Sequence, residues 1–274
     1  MGKISNLPKF IYGTAWKEAA TKELVLTAIN AGFRAIDTAN QAKHYQEKLV
    51  GDALSEIYPK IPRKDIWIQS KFTSTNGQDH RLPYDPKATI FDQVKQSFAS
   101  SLEHLHTNYL DSYLLHGPYN YPSLGDEDFE AWAALEDLYQ SKQTLAIGIS
   151  NVNISQLELL HKHVEIKPMM VQNRCFASTG WDLDVRKFCK ENGIIYQGFS
   201  LLTANDYILS EPEILSLADK YKMSPIQIIF RFAHQIGMIP LTGTSNKEHM
   251  QHDLEIFNFK LDAKDMRIIE KIAF

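Results

Sequence analysis

Cysteine is scarce in this chain: Cys175 and Cys189 are the only two in 274 residues. Two thiols cannot make the disulfide framework of a small secreted domain. Both fall in segments that read as packed structure, so buried free thiols are expected. Long hydrophobic runs are missing too, and nothing approaches the roughly 20 apolar residues of a membrane-spanning helix. The opening Met1-Gly2-Lys3-Ile4-Ser5-Asn6 has no apolar stretch behind it, which argues against a signal peptide. Asn6 stands where a myristoylation signal wants Ser or Thr. A cytoplasmic protein with no membrane partner is expected. Charge of one sign is not in surplus either: 29 basic residues face 33 acidic ones, for a net charge of −4. That balance offers no broad basic field to a phosphate backbone, so nucleic acid is not expected as a partner. No low-complexity tract or Pro/Gly/Ser-rich linker divides the chain, so residues 1–274 read as one domain. The motif G-x-G-x-x-G is absent, which removes the usual signature of a doubly wound dinucleotide-binding sheet.

What recurs is a short apolar run followed by an amphipathic stretch. The runs are Phe10–Thr14, Phe33–Thr38, Ile66–Lys71, Leu110–His116, Leu145–Ser150, Met169–Gln172, Ile194–Phe199 and Met238–Thr242. Most are rich in Ile, Leu, Val, Tyr and Phe, as strands buried on both faces of a parallel sheet are. Helical patterns cover Thr21–Ala31, Glu47–Ile57, Thr89–Leu105, Asp128–Gln140, Ile154–His163, Asp184–Asn192, Glu211–Tyr221, Ile226–Gln235 and Ala263–Ile272. Gly32 and Gly193 stand where helices stop and strands begin, and Pro225 opens a helix at its first turn. Eight alternations in this length predict a single-domain (β/α)8 TIM barrel, with its chemistry at the C-terminal ends of the strands.

Those ends carry ionisable groups. The second run ends Ile36-Asp37-Thr38, the third Gln69-Ser70-Lys71, the fourth Leu114-Leu115-His116. Taken singly, each has an ordinary reading: a turn Asp, a solvated Lys, a core His. On three consecutive barrel strands they converge. Tyr45 lies between the first two, in the loop that opens the second helix. It either packs as an aromatic or serves as an acid. A lysine beside a phenol lowers its pKa from about 10, and such a phenol can deliver a proton near neutral pH. His116 could hold a carbonyl oxygen at the same place. His161 and His163 fall on different helix faces and not at the spacing of a helical metal pair, so no metal is expected.

Asp37, Tyr45, Lys71 and His116 resemble the catalytic tetrad of the aldo-keto reductase superfamily. The resemblance covers nearly the whole chain: Gly13-Thr14, Ile36-Asp37-Thr38-Ala39, Glu47 with Val50-Gly51, Leu110 to His116, Gly148-Ile149-Ser150-Asn151, and Ile239 to Asp253. It implies a barrel that binds NADPH or NADH without a Rossmann domain. It implies that Ser150, Asn151 and Gln172 hold the nicotinamide carboxamide and that Phe199 stacks on the ring. Ser200 and Leu202 would border the pyrophosphate, with Gly13 and Thr14 at the first strand end. Thr244, Ser245 and Asn246 would follow the adenosine phosphate, at the N-terminus of a further helix.

The sequence departs from the family pattern in three places. The stretch Asn40-Gln41-Ala42-Lys43-His44 lengthens the interval from the aspartate to the tyrosine. An ungapped count back from Glu47 and Gly51 puts His44 in the tyrosine slot, whereas the need for a phenol beside Lys71 favours Tyr45. The chain also starts close to the first strand and ends at Phe274, where many relatives continue with a loop walling the substrate pocket. A more open site is expected, with carbonyl compounds meeting Trp16, Tyr84, Tyr119 and Tyr121. Finally, the lysine slot of the 2′-phosphate site is Leu241 and the arginine slot is His249. Lys247 can reach a phosphate as a point charge, but histidine lacks the planar fork of arginine. NADPH is the expected cofactor, with measurable use of NADH and a preference that sharpens between roughly pH 7 and 5.5 as histidine gains charge. The reading is an NAD(P)H-dependent carbonyl reductase acting on small molecules, monomeric by the family's habit. A Schiff-base aldolase using Lys71 and a nicotinamide-binding regulatory subunit are the competing readings.

Overall fold

A computed structural model describes residues 7–272. The readings made of Met1–Asn6 and of the end at Phe274 fall outside those residues. A β-strand lies on each apolar run: β1 Ile11–Gly13, β2 Ala35–Asp37, β3 Trp67–Phe72, β4 Ser112–Leu115, β5 Ile147–Ser150, β6 Met170–Arg174, β7 Ile195–Phe199 and β8 Ile239–Thr242. All pair in parallel, and β8 closes on β1 through Ile11 with Leu241 and Tyr12 with Thr242. The strands are mostly shorter than their runs because leading residues pack against the helices instead. Phe10, for example, meets Phe33 and Phe230 edge-on at 5.6 and 4.9 Å.

The helices are α1 Thr21–Ala31, α2 Glu47–Ile57, α3 Ile90–His104, α4 Asp126–Gln140, α5 Ile154–His163, α6 Leu183–Glu191, α7 Pro212–Tyr221, α8 Pro225–Gln235, α9 Lys247–Leu254 and α10 Ala263–Glu270. Their starts are chemically marked. The side chains of Thr89, Asn153 and Ser224 accept the N–H of Asp92, Gln156 and Gln227 at 3.1, 2.8 and 3.2 Å. Each satisfies a donor that the first helical turn leaves without a partner. Gly32, at φ +123°, ends α1. Gly51 serves packing: a Cβ there would sit 1.9 Å from the His104 carbonyl oxygen, so only glycine lets α2 lie against the end of α3. His161 packs edge-on against Phe188 at 5.4 Å and His163 against Phe129 at 6.2 Å. No helix among the described residues is long and apolar enough to cross a membrane.

Two cores result. The larger lies between sheet and helices and holds Val25, Phe98, Trp132 and Phe232. The smaller includes Ile11, Ala35, Trp67, Met170 and Leu241. Further along the strands, polar side chains occupy neighbouring positions. Asp37 is in register with Gly13 and Gln69, Gln69 with Ser112, and Gln172 with Ser150 and Gln197. This polar layer leads to the strand ends.

Candidate active site

Lys71 is 1% exposed and reaches across from β3 to β2. Its Nζ donates to both carboxylate oxygens of Asp37 at 2.7 Å and to the Thr38 carbonyl at 2.9 Å. An ammonium has three donors, and all three are spent. Burial pulls the Lys71 pKa down, while the Asp37 carboxylate works against that shift. Lys71 does not line the cavity above it, so an incoming carbonyl carbon has no path to its nitrogen. That geometry disfavours a Schiff-base role.

The loop after β2 separates His44 from Tyr45. The N–H groups of both donate to the Gln41 carbonyl, at 3.1 and 3.0 Å, which makes a tight turn. The His44 ring also lines the cavity over the site, where it stacks on Trp16 with centroids 3.8 Å apart. The Tyr45 ring lies 5.6 Å from the Lys71 ammonium and 5.8 Å from the His116 ring. One expectation is reversed here. Burial, with the Asp37 carboxylate adding to it, raises the Tyr45 phenol well above its ordinary range. The Lys71 ammonium does not offset that rise. Burial likewise pulls His116 down to about 3, helped by Lys71 and His44, so its imidazole is neutral. His116 Nδ1 is 2.7 Å from Thr73 Oγ1.

A cavity of about 730 Å³ opens over these residues. Asp37, Tyr45 and His116 line it, as do Gly13, Trp16, Ser150, Asn151, Gln172, Phe199, Ser200, Leu202, Thr244 and His249. Asn151 and Ser200 both have positive φ, +54° and +56°. Strained backbone of this kind gathers at ligand sites. Asn151 Nδ2 donates to the His116 carbonyl at 2.8 Å, and Ser150 Oγ donates to the Gln172 carbonyl at 2.6 Å.

Other expected residues lie elsewhere. Thr14 is buried beneath the cavity, its hydroxyl on the Asp37 carbonyl at 3.0 Å. Asn246 caps α9, accepting the N–H groups of Glu248 and His249 at 2.7 and 3.2 Å, so those donors are already satisfied. Ser245 and Lys247 are exposed and do not line the cavity. Of the four aromatics expected at the pocket, only Trp16 faces it. Tyr84 is buried against Phe72, with its hydroxyl on the Thr73 carbonyl at 2.8 Å. Tyr119 packs on Phe72 from farther off, and Tyr121 is 86% exposed. Sequence spacing does not say which way a loop aromatic turns.

The structure adds residues that sequence reasoning missed. Lys17, Arg174 and His252 line the cavity, and Arg174 lies 5.4 Å from the Phe199 ring centroid. Gln69 and Gln197, both fully buried, hold Asp37 and Gln172 from below. A glutamine two residues before Lys71 and another two before Phe199 share their strand face. That alternation was the available signal.

The lining suits a nicotinamide dinucleotide. Gln172 Oε1 makes no hydrogen bond among the described residues, and Gln41 Oε1 is buried without a partner. The Phe199 ring offers a π face, and Lys17, Arg174, His249 and His252 supply cationic or chargeable groups for phosphates.

Comparison with known proteins agrees. Residues 10–273 match the aldo/keto reductase family. The 9,11-endoperoxide prostaglandin H2 reductase of Trypanosoma cruzi is 31% identical over 258 residues, 93% of this chain and 83% of that protein. The glyoxal reductase of Bacillus subtilis is 31% identical over 250 residues, 91% of this chain and 82% of that protein. The crystal structure of an aldo/keto reductase from Brucella melitensis superposes with a TM-score of 0.83 at 27% identity, covering 97% of this chain and 94% of that one. The chain therefore belongs to the aldo/keto reductase family, whose members are NAD(P)H-dependent oxidoreductases acting on small carbonyl compounds.

Proposed function

We propose that this protein reduces aldehydes or ketones to alcohols, with Tyr45 as the proton donor. The observation that carries the reading is the placement of one phenol beside the Lys71 ammonium and the His116 ring, while His44 stacks on Trp16. A reduced nicotinamide, when bound, supplies the hydride. The protein supplies proton, position and field. The raised Tyr45 phenol stays protonated at neutral pH, the form that can give a proton to a developing alkoxide. Lys71, fixed on both oxygens of Asp37, keeps a positive charge 5.6 Å from the Tyr45 ring. Neutral His116 would orient the carbonyl oxygen through Nε2–H in the tautomer in which Nδ1 accepts from the Thr73 hydroxyl, 2.7 Å away.

Ser150, Asn151 and Gln172 would hold the carboxamide, Phe199 would stack on the ring, and Ser200 and Leu202 would border the pyrophosphate. Thr244 and His249 would meet the adenosine end. NADPH is the proposed cofactor, with NADH also used, because Leu241 and His249, which line the cavity, stand where the family's 2′-phosphate site has lysine and arginine. The substrate is a small carbonyl compound, a class to which the glyoxal reductase among the relatives also points. The test is to mix the purified protein with NADPH or NADH and a panel of aldehydes, ketones and quinones, following the reduced-nicotinamide absorbance. Consumption with at least the aldehydes is expected. No turnover with any of them, with either cofactor, overturns the reading.

A further inference from the structure

The side chain of Thr73, the residue after β3, is buried at 4% exposure and has a single polar partner. Its Oγ1 lies 2.7 Å from His116 Nδ1 and makes no other hydrogen bond among the described residues. Thr73 does not line the cavity, so a ligand brings it no second partner. Its orientation is set from both ends. The Cγ2 methyl occupies the space left by Gly77, where a Cβ would stand 2.7 Å from it, and this keeps the hydroxyl turned to the imidazole. The Thr73 carbonyl is held by the Tyr84 hydroxyl at 2.8 Å and by Gln78 Nε2 at 3.4 Å. On the far side of the ring, His116 Nε2 has no partner among the described residues, and His116 lines the cavity.

Two arrangements of protons are open to this pair. In one, the hydroxyl donates to Nδ1 and the ring proton sits on Nε2. Both groups are then matched, and an N–H is left for the cavity. In the other, Nδ1–H donates to Oγ1, the hydroxyl proton is buried with no acceptor, and Nε2 turns a bare lone pair to the cavity. An unmatched buried donor costs more than a hydrogen bond adds, so the first arrangement should gain about tenfold or more over the ring's own preference. We propose that Thr73 is a positioning residue that presents His116 to the cavity as a hydrogen-bond donor. The proposal rests on the reading that a carbonyl compound is reduced in this cavity. A carbonyl oxygen can only accept, so the other tautomer would set lone pair against lone pair at the bond to be polarised. Thr73 acts entirely through His116 and touches no ligand.

The test is nitrogen NMR of the full chain labelled at histidine, in which the two ring nitrogens report the tautomer. The His116 signals are assigned by their loss in His116→Asn. Near neutral pH, where His116 is uncharged, the unmodified protein should show a bare Nδ1 and a protonated Nε2. Thr73→Val keeps the shape and removes the hydroxyl, and the ratio of the Nδ1–H form to the Nε2–H form should rise about tenfold. Thr73→Ala removes the same hydroxyl with less bulk, which keeps the test available if the valine variant fails to fold. Thr73→Ser should restore the original ratio. Aldehyde reduction should follow: kcat/KM falls by about threefold or more in the valine and alanine variants and recovers in the serine variant, while the reduced dinucleotide binds unchanged. A merely structural role would lower stability and leave the tautomer where it is. An unmoved tautomer in the folded variants, a proton on Nδ1 in the unmodified protein, or a moved tautomer with unchanged kcat/KM overturns the proposal alone. Failure of the unmodified protein to reduce any carbonyl compound overturns the functional reading, and with it the part given to Thr73 in the reaction.

Discussion

Burial sets the acid–base behaviour of Tyr45 and His116 in opposite directions, and both leave the groups uncharged at neutral pH. The raised phenol keeps its proton through neutrality and gives it up only above the ordinary tyrosine range. His116 takes a proton only near pH 3. On the proposed mechanism reduction needs the protonated phenol, present below its pKa, and the neutral imidazole, present above its own. The pH profile of kcat/KM for reduction should therefore be level from about pH 5 to about 10, with no descending limb inside the ordinary tyrosine range. A descending limb centred near pH 7 would show that Lys71 does lower the phenol in the working enzyme. The identity of these groups was legible in the residues, but the direction of the phenol's shift was not. Asp37, Lys71 and His116 are ionisable groups closing apolar runs, and such groups need partners. Gln69 and Gln197 escaped notice because an amide inside a run looks like an interruption rather than a layer. The choice between His44 and Tyr45 could not be read from spacing, since it depends on a turn closed by the Gln41 carbonyl.

At the scale of elements, close approach and buried charge set the vulnerable points. Gly51 sits where α2 meets the end of α3. Alanine would gain about 1 kcal/mol in helix propensity, but its Cβ would lie 1.9 Å from a backbone oxygen that cannot move aside cheaply. The clash wins, so Gly51→Ala should lower Tm by roughly 5–10 °C. An unchanged Tm would mean that the two helices can separate. Asp253, on α9, is buried, and burial raises its carboxyl to about 6. A folded-state pKa above the unfolded one favours folding while the group is protonated. That contribution is full below about pH 4 and lost as pH rises through 6, at most about 3 kcal/mol. Asp253→Asn cannot lose the proton, so it should flatten the decline. Urea unfolding from pH 4 to 7 should show the variant gaining on the unmodified protein, and parallel curves would contradict this. The elements themselves were mostly readable, because Ile- and Val-rich runs and polar helix caps act locally. Strand ends shifted where a leading residue such as Phe10 found a better contact outside the sheet.

At the scale of the molecule, closure of the barrel is what turns scattered residues into a site. Asp37 and Gln197 are 160 positions apart, yet both bond Gln69 and Gln172 in one layer. A chain with a net charge of −4 still gathers Lys17, Arg174, His249 and His252 around one cavity. The sequence announced the barrel through its eight alternations, but the inward or outward turn of loop aromatics such as Tyr84 and Tyr121 is decided only once the loops pack. We propose that one residue of the His44-Tyr45 pair supplies the proton and that it is Tyr45. The most direct measurement is kcat/KM for aldehyde reduction in Tyr45→Phe and His44→Phe, with the dissociation constant of the reduced dinucleotide measured alongside. Tyr45→Phe should lose about 10²–10⁴-fold in kcat/KM while binding the dinucleotide nearly normally, and His44→Phe should stay within about tenfold of the unmodified enzyme. A Tyr45→Phe enzyme within tenfold, or a collapse in His44→Phe instead, would contradict the account.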